Sequence, residues 1–203
     1  MLDKNPDQDF TLRVNPILEE FNLNSVLCSE PFVKASFLEK IIQNSDVDLV
    51  YLDFDLLYSG FISGGFVSKK ENVHLIRPDV DSLEDTLKVI LEKISKEKSI
   101  VIIDSLNGFY NIFDEKDAGR LINSYILLLS FVAKTTGSKI ILVSMARIND
   151  KKSWVLMPSG RQIVTTQQMT VLQLKSQDAH ILINLLDEEN STKESIKILN
   201  YKN

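Results

Sequence analysis

Cysteine is almost missing from this chain of 203 residues: Cys28 stands alone. No internal disulfide can form, and a reducing cytoplasm is the expected compartment. Long apolar runs are missing too. The longest candidate, Tyr125 to Ala133, falls far short of the ~20 residues of a membrane helix, so no membrane partner is expected. Met1 to Phe10 is acidic and polar and lacks the apolar core of a signal peptide. There is no excess of positive charge; the net charge is -5 and the pI about 5.1. That argues against a protein coated in nucleic acid, while leaving room for a local basic patch. The two histidines, His74 and His180, are far apart and lie in strand-like patterns, so no metal site is expected. There is no internal repeat and no low-complexity stretch. What remains is 44% hydrophobic and 25% charged, ordinary for a globular protein of one domain with a sizeable core.

What is present is alternation. Ser25–Cys28, Asp48–Phe54, Val73–Ile76, Ser99–Ile103 and Lys139–Ser144 are short apolar runs that read as buried strands. Amphipathic segments separate them. Pro31–Gln43 carries Phe37, Leu38, Ile41 and Ile42 on one helical face. Ser82, with Asp85 three residues on, predicts a capping box before a stripe of Leu83, Leu87, Ile90, Leu91 and Ile94. Asp117–Thr136 predicts a long helix with Leu121, Ile122, Tyr125, Ile126, Leu129 and Val132 facing in, stopped by Gly137. Leu56–Lys70 holds Gly60, Gly64 and Gly65, which predicts a loop or broken helix. Its Phe61, Ile62, Phe66 and Val67 fit either a subunit contact or core. Beyond Pro158, Thr165–Lys175, Ala179–Asp187 and Ser195–Tyr201 read as an antiparallel meander with a turn at Asp187–Asn190. Residues 1–24 read as a tail or a helix (Pro16–Phe21) on a domain spanning 25–203. Strands alternating with helices predict an α/β fold with a mostly parallel sheet.

Two features carry chemistry. One is the strand–turn–helix from Val26 to Gln43; the other is the apolar strand ending in Asp104, followed by Ser105. A P-loop nucleotide-binding protein has this arrangement, with G-x-x-x-x-G-K-[ST] after the first strand and a later Asp that supports Mg²⁺. Four segments follow in a telling order: LVYLDFD (Leu49–Asp55), SIVIIDSLNGFY (Ser99–Tyr110), SKIILVSMAR (Ser138–Arg147) and MPSGRQIV (Met157–Val164). Together they resemble the RecA superfamily, in particular its archaeal RadA and KaiC-like branch. The resemblance runs from Val26 to the C-terminus. It implies a RecA-like P-loop-type core, a central mostly parallel sheet flanked by helices with antiparallel C-terminal strands. It also implies that Asp55 stands where the family has its water-activating glutamate and Asp104 where it has the Mg²⁺-supporting aspartate.

The phosphate loop departs from that pattern. Ser29 falls at the first glycine, Lys34 at the second, Ala35 at the lysine and Ser36 at the Mg²⁺-binding hydroxyl. No glycine remains to let backbone approach phosphates. Ala35 has no charge, Glu30 adds a negative one, and Pro31 removes an N–H donor. The family's γ-phosphate-sensing glutamine falls on Ala146. Asp55 and Asp104 are therefore read as vestigial, no catalytic residue is assigned and no cofactor is expected. The bland reading of Asp104 is a strand-end acid bonded to neighbouring backbone. Asp53 and Asp55 form an acid pair near a strand end, a common feature that also admits general acid–base use. Cys28 reads as a small core residue.

Arg147, Lys151, Lys152, Trp154 and Arg161 form the basic, aromatic-bearing stretch. The resemblance places it where the family faces single-stranded DNA, and cations beside a stacking aromatic suit a strand-tracking groove for DNA or RNA. The alternative is a solvated loop with Trp154 packed on the domain. The function these residues imply is a pseudo-ATPase: a non-catalytic paralogue serving as a structural or accessory subunit. It would be a homo-oligomer or the partner of an active RecA-family ATPase, with DNA recombination or repair as the setting by analogy. Two alternatives stand beside it. One is an active ATPase using Asp55, Asp104 and Ser36 with Lys34 reaching phosphate by another route. The other is a module binding a small molecule in the old nucleotide crevice.

Overall fold

The computed structural model describes residues 6–113, 118–163 and 165–199. Asp117, Val164 and Tyr201, at the ends of three expected segments, and Met1–Asn5 of the expected tail lie outside the described residues. The chain divides into two compact units, residues 46–143 and residues 1–45 with 144–203. Strand β5 (Lys139–Ile148) contributes its first half to one and its second half to the other.

In the unit of residues 46–143, β2 (Asp48–Asp53) lies between β3 (Val73–Ile76) and β4 (Ser99–Asp104), and β4 pairs with the start of β5. All three pairings are parallel, which requires a crossover between successive strands. Helices α4 (Leu57–Ser63), α5 (Leu83–Lys96), α6 (Leu106–Asn111) and α7 (Ala118–Thr136) make them. The strands are nearly continuous in Val, Ile and Leu because both faces are covered; Leu49, Leu52, Val101, Ile102 and Ile103 are fully buried.

Two expectations needed correction here. Ser82 does not cap α5: it donates its backbone N–H and hydroxyl to Asp79 Oδ1 at 2.8 and 2.6 Å. Asp79 thus takes the hydroxyl a capping box needs. On α7, Ile122, Ile126 and Leu129 are buried as expected, but Leu121, Tyr125 and Val132 are only half-buried. Leu127, Leu128 and Phe131 face out, because a helix apolar on most sides gives periodicity little to discriminate. Gly137 ends the helix at φ 72°, a left-handed conformation that suits glycine.

In the other unit, β1 (Leu23–Cys28) is parallel to β7 (Met169–Gln177). Antiparallel β8 (His180–Leu186) and β9 (Thr192–Leu199) extend β7 into the expected meander. Helix α3 (Pro31–Gln43) packs on β1 and β7, and α1 (Pro6–Arg13) packs on β9. The region read as a tail or one helix forms α1 and a second short helix, α2 (Asn15–Glu20). Phe10 of α1 is fully buried against Phe37 of α3, ring centroids 5.9 Å apart. Strand β6 (Trp154–Leu156) pairs back on β5 and has no counterpart among the strands expected from sequence. Among the described residues no helix is long and apolar enough to cross a membrane.

The fold class is therefore α/β, with mostly parallel strands, flanking helices and antiparallel C-terminal strands.

Candidate functional site

The site residues fall into the two units, and each group is built by its own local chemistry. In the unit of residues 1–45 and 144–203, β1 ends at Cys28 and α3 begins at Pro31, so Ser29 and Glu30 are the whole connection. Pro31 fixes φ near the helical value and needs no N–H partner at a first turn. It also holds Glu30 extended, at φ -121° and ψ 114°. The helix therefore starts at once, and Phe32, Val33 and Lys34 are helical where a phosphate loop would still be wrapping its ligand.

Side chains fill the neighbourhood rather than open it. The Cys28 thiol donates to the Glu30 carbonyl at 3.1 Å and accepts the Glu30 N–H at 3.3 Å. Burial pushes that thiol above its ordinary value of 9.0, which fits a core residue rather than a nucleophile. A Glu30 carboxylate oxygen accepts the Ser176 N–H at 3.3 Å. Lys34 is buried at 1% exposure, so its ammonium is not presented to solvent. Ala35 and Ser36 are both half-buried within the helix, and Ser29 is exposed. The four loop residues thus belong to one local feature, a strand end running into the first turns of a helix.

The basic stretch lies in the same unit. Residues 145–148 of β5, β6 and the backbone near Gln162 form a small antiparallel sheet, with Arg147 opposite Val155 and a bridge from Val155 to Gln162. Its turn is organised by Asn149, whose side-chain oxygen accepts the N–H groups of Lys151 and Ser153, each at 3.0 Å. Lys152 adopts φ 58° to close it. Arg147, Lys151, Lys152 and Arg161 are exposed. Trp154 is not: at 7% exposure it pairs with Ile148 and offers no stacking face, so its expected role is corrected to core packing. The stretch forms a strand where a loop was expected, and Trp154, Val155 and Leu156 are all buried in it. Arg161 lies outside the strands, beside the bridge from Val155 to Gln162.

In the unit of residues 46–143 the acids gather at the C-terminal ends of parallel strands. Asp53 and Asp104 are register partners on β2 and β4, each 1% exposed. The Tyr51 hydroxyl donates to Asp104 Oδ2 at 2.5 Å. Burial first, then the Asp104 charge, holds that phenol well above its ordinary 10.0, so it stays protonated as a donor. Asp53 has a different task. Leu56, at φ 58°, stands at the N-cap of α4 with no side-chain acceptor. Asp53 Oδ2 supplies one from the strand end, accepting the Ser59 N–H at 2.7 Å and the Ser59 hydroxyl.

Asp55 is exposed two residues on, and its side chain lies where Gly108 carries no Cβ: a Cβ there would sit 2.5 Å from Asp55 Oδ1 and 2.7 Å from Phe54. The Asp104 carbonyl accepts the N–H of Phe54 at 2.7 Å and of Asp55 at 3.3 Å. Ser105 caps α6 through the Gly108 N–H at 3.2 Å, and Phe54 stacks on Phe109. This packing brings Asp53, Asp55 and Asp104 to one strand edge, where open α/β sheets bind ligands. Asp104 differs from the bland reading, since its carboxylate accepts a side-chain donor while its main-chain carbonyl takes the neighbouring N–H groups. No group of three or more His, Cys, Asp or Glu able to hold a metal occurs among the described residues. Tyr51 and Ser59 were not singled out from sequence; the signal for Tyr51 was its place in period-2 alternation with Asp53 on an otherwise apolar strand.

No protein-family model matches this chain, and no curated protein matches it in sequence. Solved structures do match in shape. A crystal structure of the RadB recombinase superposes with a TM-score of 0.57 at 10% identity, covering 88% of this chain and 87% of that one. A second solved structure, of an ATPase domain, gives a TM-score of 0.57 at 10% identity, covering 90% of this chain and 86% of that one. At that identity the likeness concerns architecture alone, and the architecture of this chain is RecA-like.

Proposed function

We propose that this chain is a non-hydrolysing RecA-like protein, a structural or accessory subunit that meets single-stranded nucleic acid along the β5–β6 hairpin. The observation that carries the first half is the direct entry of β1 into α3. A phosphate cradle needs several successive backbone N–H groups turned toward one point. Here two residues, Ser29 and Glu30, join strand to helix, and Lys34 is buried. The exposed Arg147, Lys151, Lys152 and Arg161 support the second half, as cations suited to track a phosphate backbone. Contact with nucleic acid is then electrostatic, without the stacking that Trp154 would have added. A second copy of the chain, or an active RecA-family ATPase, is the expected assembly partner. The similarity to a recombinase suggests recombination or repair as the setting, by analogy of fold.

Thermal unfolding with and without ATP–Mg²⁺ tests the first half. A working site at ligand concentrations near a hundred times Kd stabilises by about 2.7 kcal/mol, which moves Tm by roughly 5–10 °C at this chain length. The expected result is no shift beyond about 1 °C. A shift of several degrees, lost on Asp104→Asn, would return Asp55 and Asp104 to working roles. For the second half, binding of an oligodeoxythymidylate should weaken with salt at a slope near -0.7 per contact, roughly -3 for four cations. Replacing all four by Gln should flatten that slope and weaken binding; unchanged binding and slope would sink the assignment.

A further inference from the structure

A cation at the strand edge of the unit of residues 46–143 is held in a way that ordinary surface arginines are not. Arg77 follows the last residue of β3 and precedes the buried Pro78, so its backbone leaves the sheet on a fixed course. Its Nε donates to the Ser59 hydroxyl at 2.8 Å. Ser59 is 3% exposed and is held in turn by Asp53, itself 1% exposed. The guanidinium is thus anchored through its inner nitrogen to a buried relay, while the residue as a whole is exposed.

Arg77 forms no ion pair among the described residues. Asp53 Oδ2 accepts from Ser59 and Asp79 Oδ1 from Ser82, while Asp53 Oδ1 is buried with no hydrogen-bond partner among the described residues. A guanidinium donates through five N–H groups in a planar fork. With Nε used, the two terminal nitrogens remain as a parallel pair of donors, the geometry that takes two oxygens of one phosphate. Anchoring means little side-chain entropy is left to lose on binding.

We propose that Arg77 is a phosphate-recognition residue, held in place by Ser59 and Asp53, that takes the phosphate of a free nucleotide or of a polynucleotide backbone. It lies apart in sequence from both the β1–α3 connection and the basic hairpin, so it does not rest on the function proposed above.

The test follows the Nε–H resonance of Arg77 in the ¹⁵N-labelled full chain, assigned by its loss in Arg77→Gln. Inorganic phosphate, a short oligodeoxythymidylate and, at matched ionic strength, acetate are titrated in turn. A saturable shift with phosphate and not with acetate is expected. Phosphate and oligonucleotide acting alike would place the source in any phosphate group; a shift with the oligonucleotide alone would place it in the polynucleotide backbone. Ser59→Ala keeps the charge but removes the anchor, and should weaken binding roughly fivefold. Arg77→Lys, read from the backbone N–H resonances of residues 76, 77 and 79 because it lacks Nε–H, serves as the second variant should Ser59→Ala disturb α4, and should weaken it likewise. The proposal is overturned if neither phosphate nor oligonucleotide gives a saturable shift, if acetate matches phosphate, or if both variants bind as tightly as the parent chain.

Discussion

Strands β1 and β4 have the same length, six residues, and are both almost wholly buried, yet their C-terminal ends are finished in opposite ways. β1 ends in a thiol and a two-residue link closed by its own backbone: Cys28 and Glu30 satisfy each other, and Pro31 starts the next helix. β4 ends in a buried carboxylate that needs a phenol from β2 to be tolerated, beside a second carboxylate spent on Ser59. Burying a charge is costly unless it is hydrogen-bonded; one oxygen of each acid is so served, while Asp53 Oδ1 is buried with no hydrogen-bond partner among the described residues. One strand end has therefore become self-sufficient, while the other still carries polar groups that bind together neighbouring segments.

That contrast can be broken in three places. The largest effect is expected at Asp53. Asp53→Ala removes both bonds to Ser59 and with them the substitute cap of α4; about 3 kcal/mol should be lost, since bonds to charged groups contribute ~1.5–3 kcal/mol each. Urea unfolding measures it, and a loss below about 1 kcal/mol would mean that the relay is incidental. Tyr51→Phe comes next. It strands Asp104 Oδ2 without its phenol donor in a buried site, at a cost of roughly 1–2 kcal/mol, read in the same assay. The smallest effect is expected at the other strand end, where Glu30→Ala touches an exposed residue with one long bond to Ser176. It should stay within about 0.5 kcal/mol; a larger loss would show that the β1 end depends on side chains after all.

Much of this layout could be read from residues. Pro31–Gln43 and Val73–Ile76 were expected at the bounds they have, because proline marks a first helical turn and four apolar residues before proline mark a short strand. The absence of glycine between Ser29 and Ser36 was legible as well. The early start of the helix was legible with it, since Pro31 marks the first turn; the closure of the link by Cys28 and Glu30 was not. Strand β6 escaped notice because three residues give no measurable alternation, and with it went the burial of Trp154. The Ser59–Arg77 contact joins residues 18 apart through a relay that no local pattern announces.

The short entry into α3 also sets a limit on engineering. Ser29→Gly, Lys34→Gly and Ala35→Lys together would restore the letters of a phosphate loop, but they would restore them onto a helix whose first turn already occupies Pro31–Lys34. The lettering would be right and the path wrong: four helical residues would have to unwind, or extra chain be inserted, before any oxygen could be enclosed. Point substitution alone would therefore leave the helix start in place, because Pro31 and the extended Glu30 before it set where α3 begins.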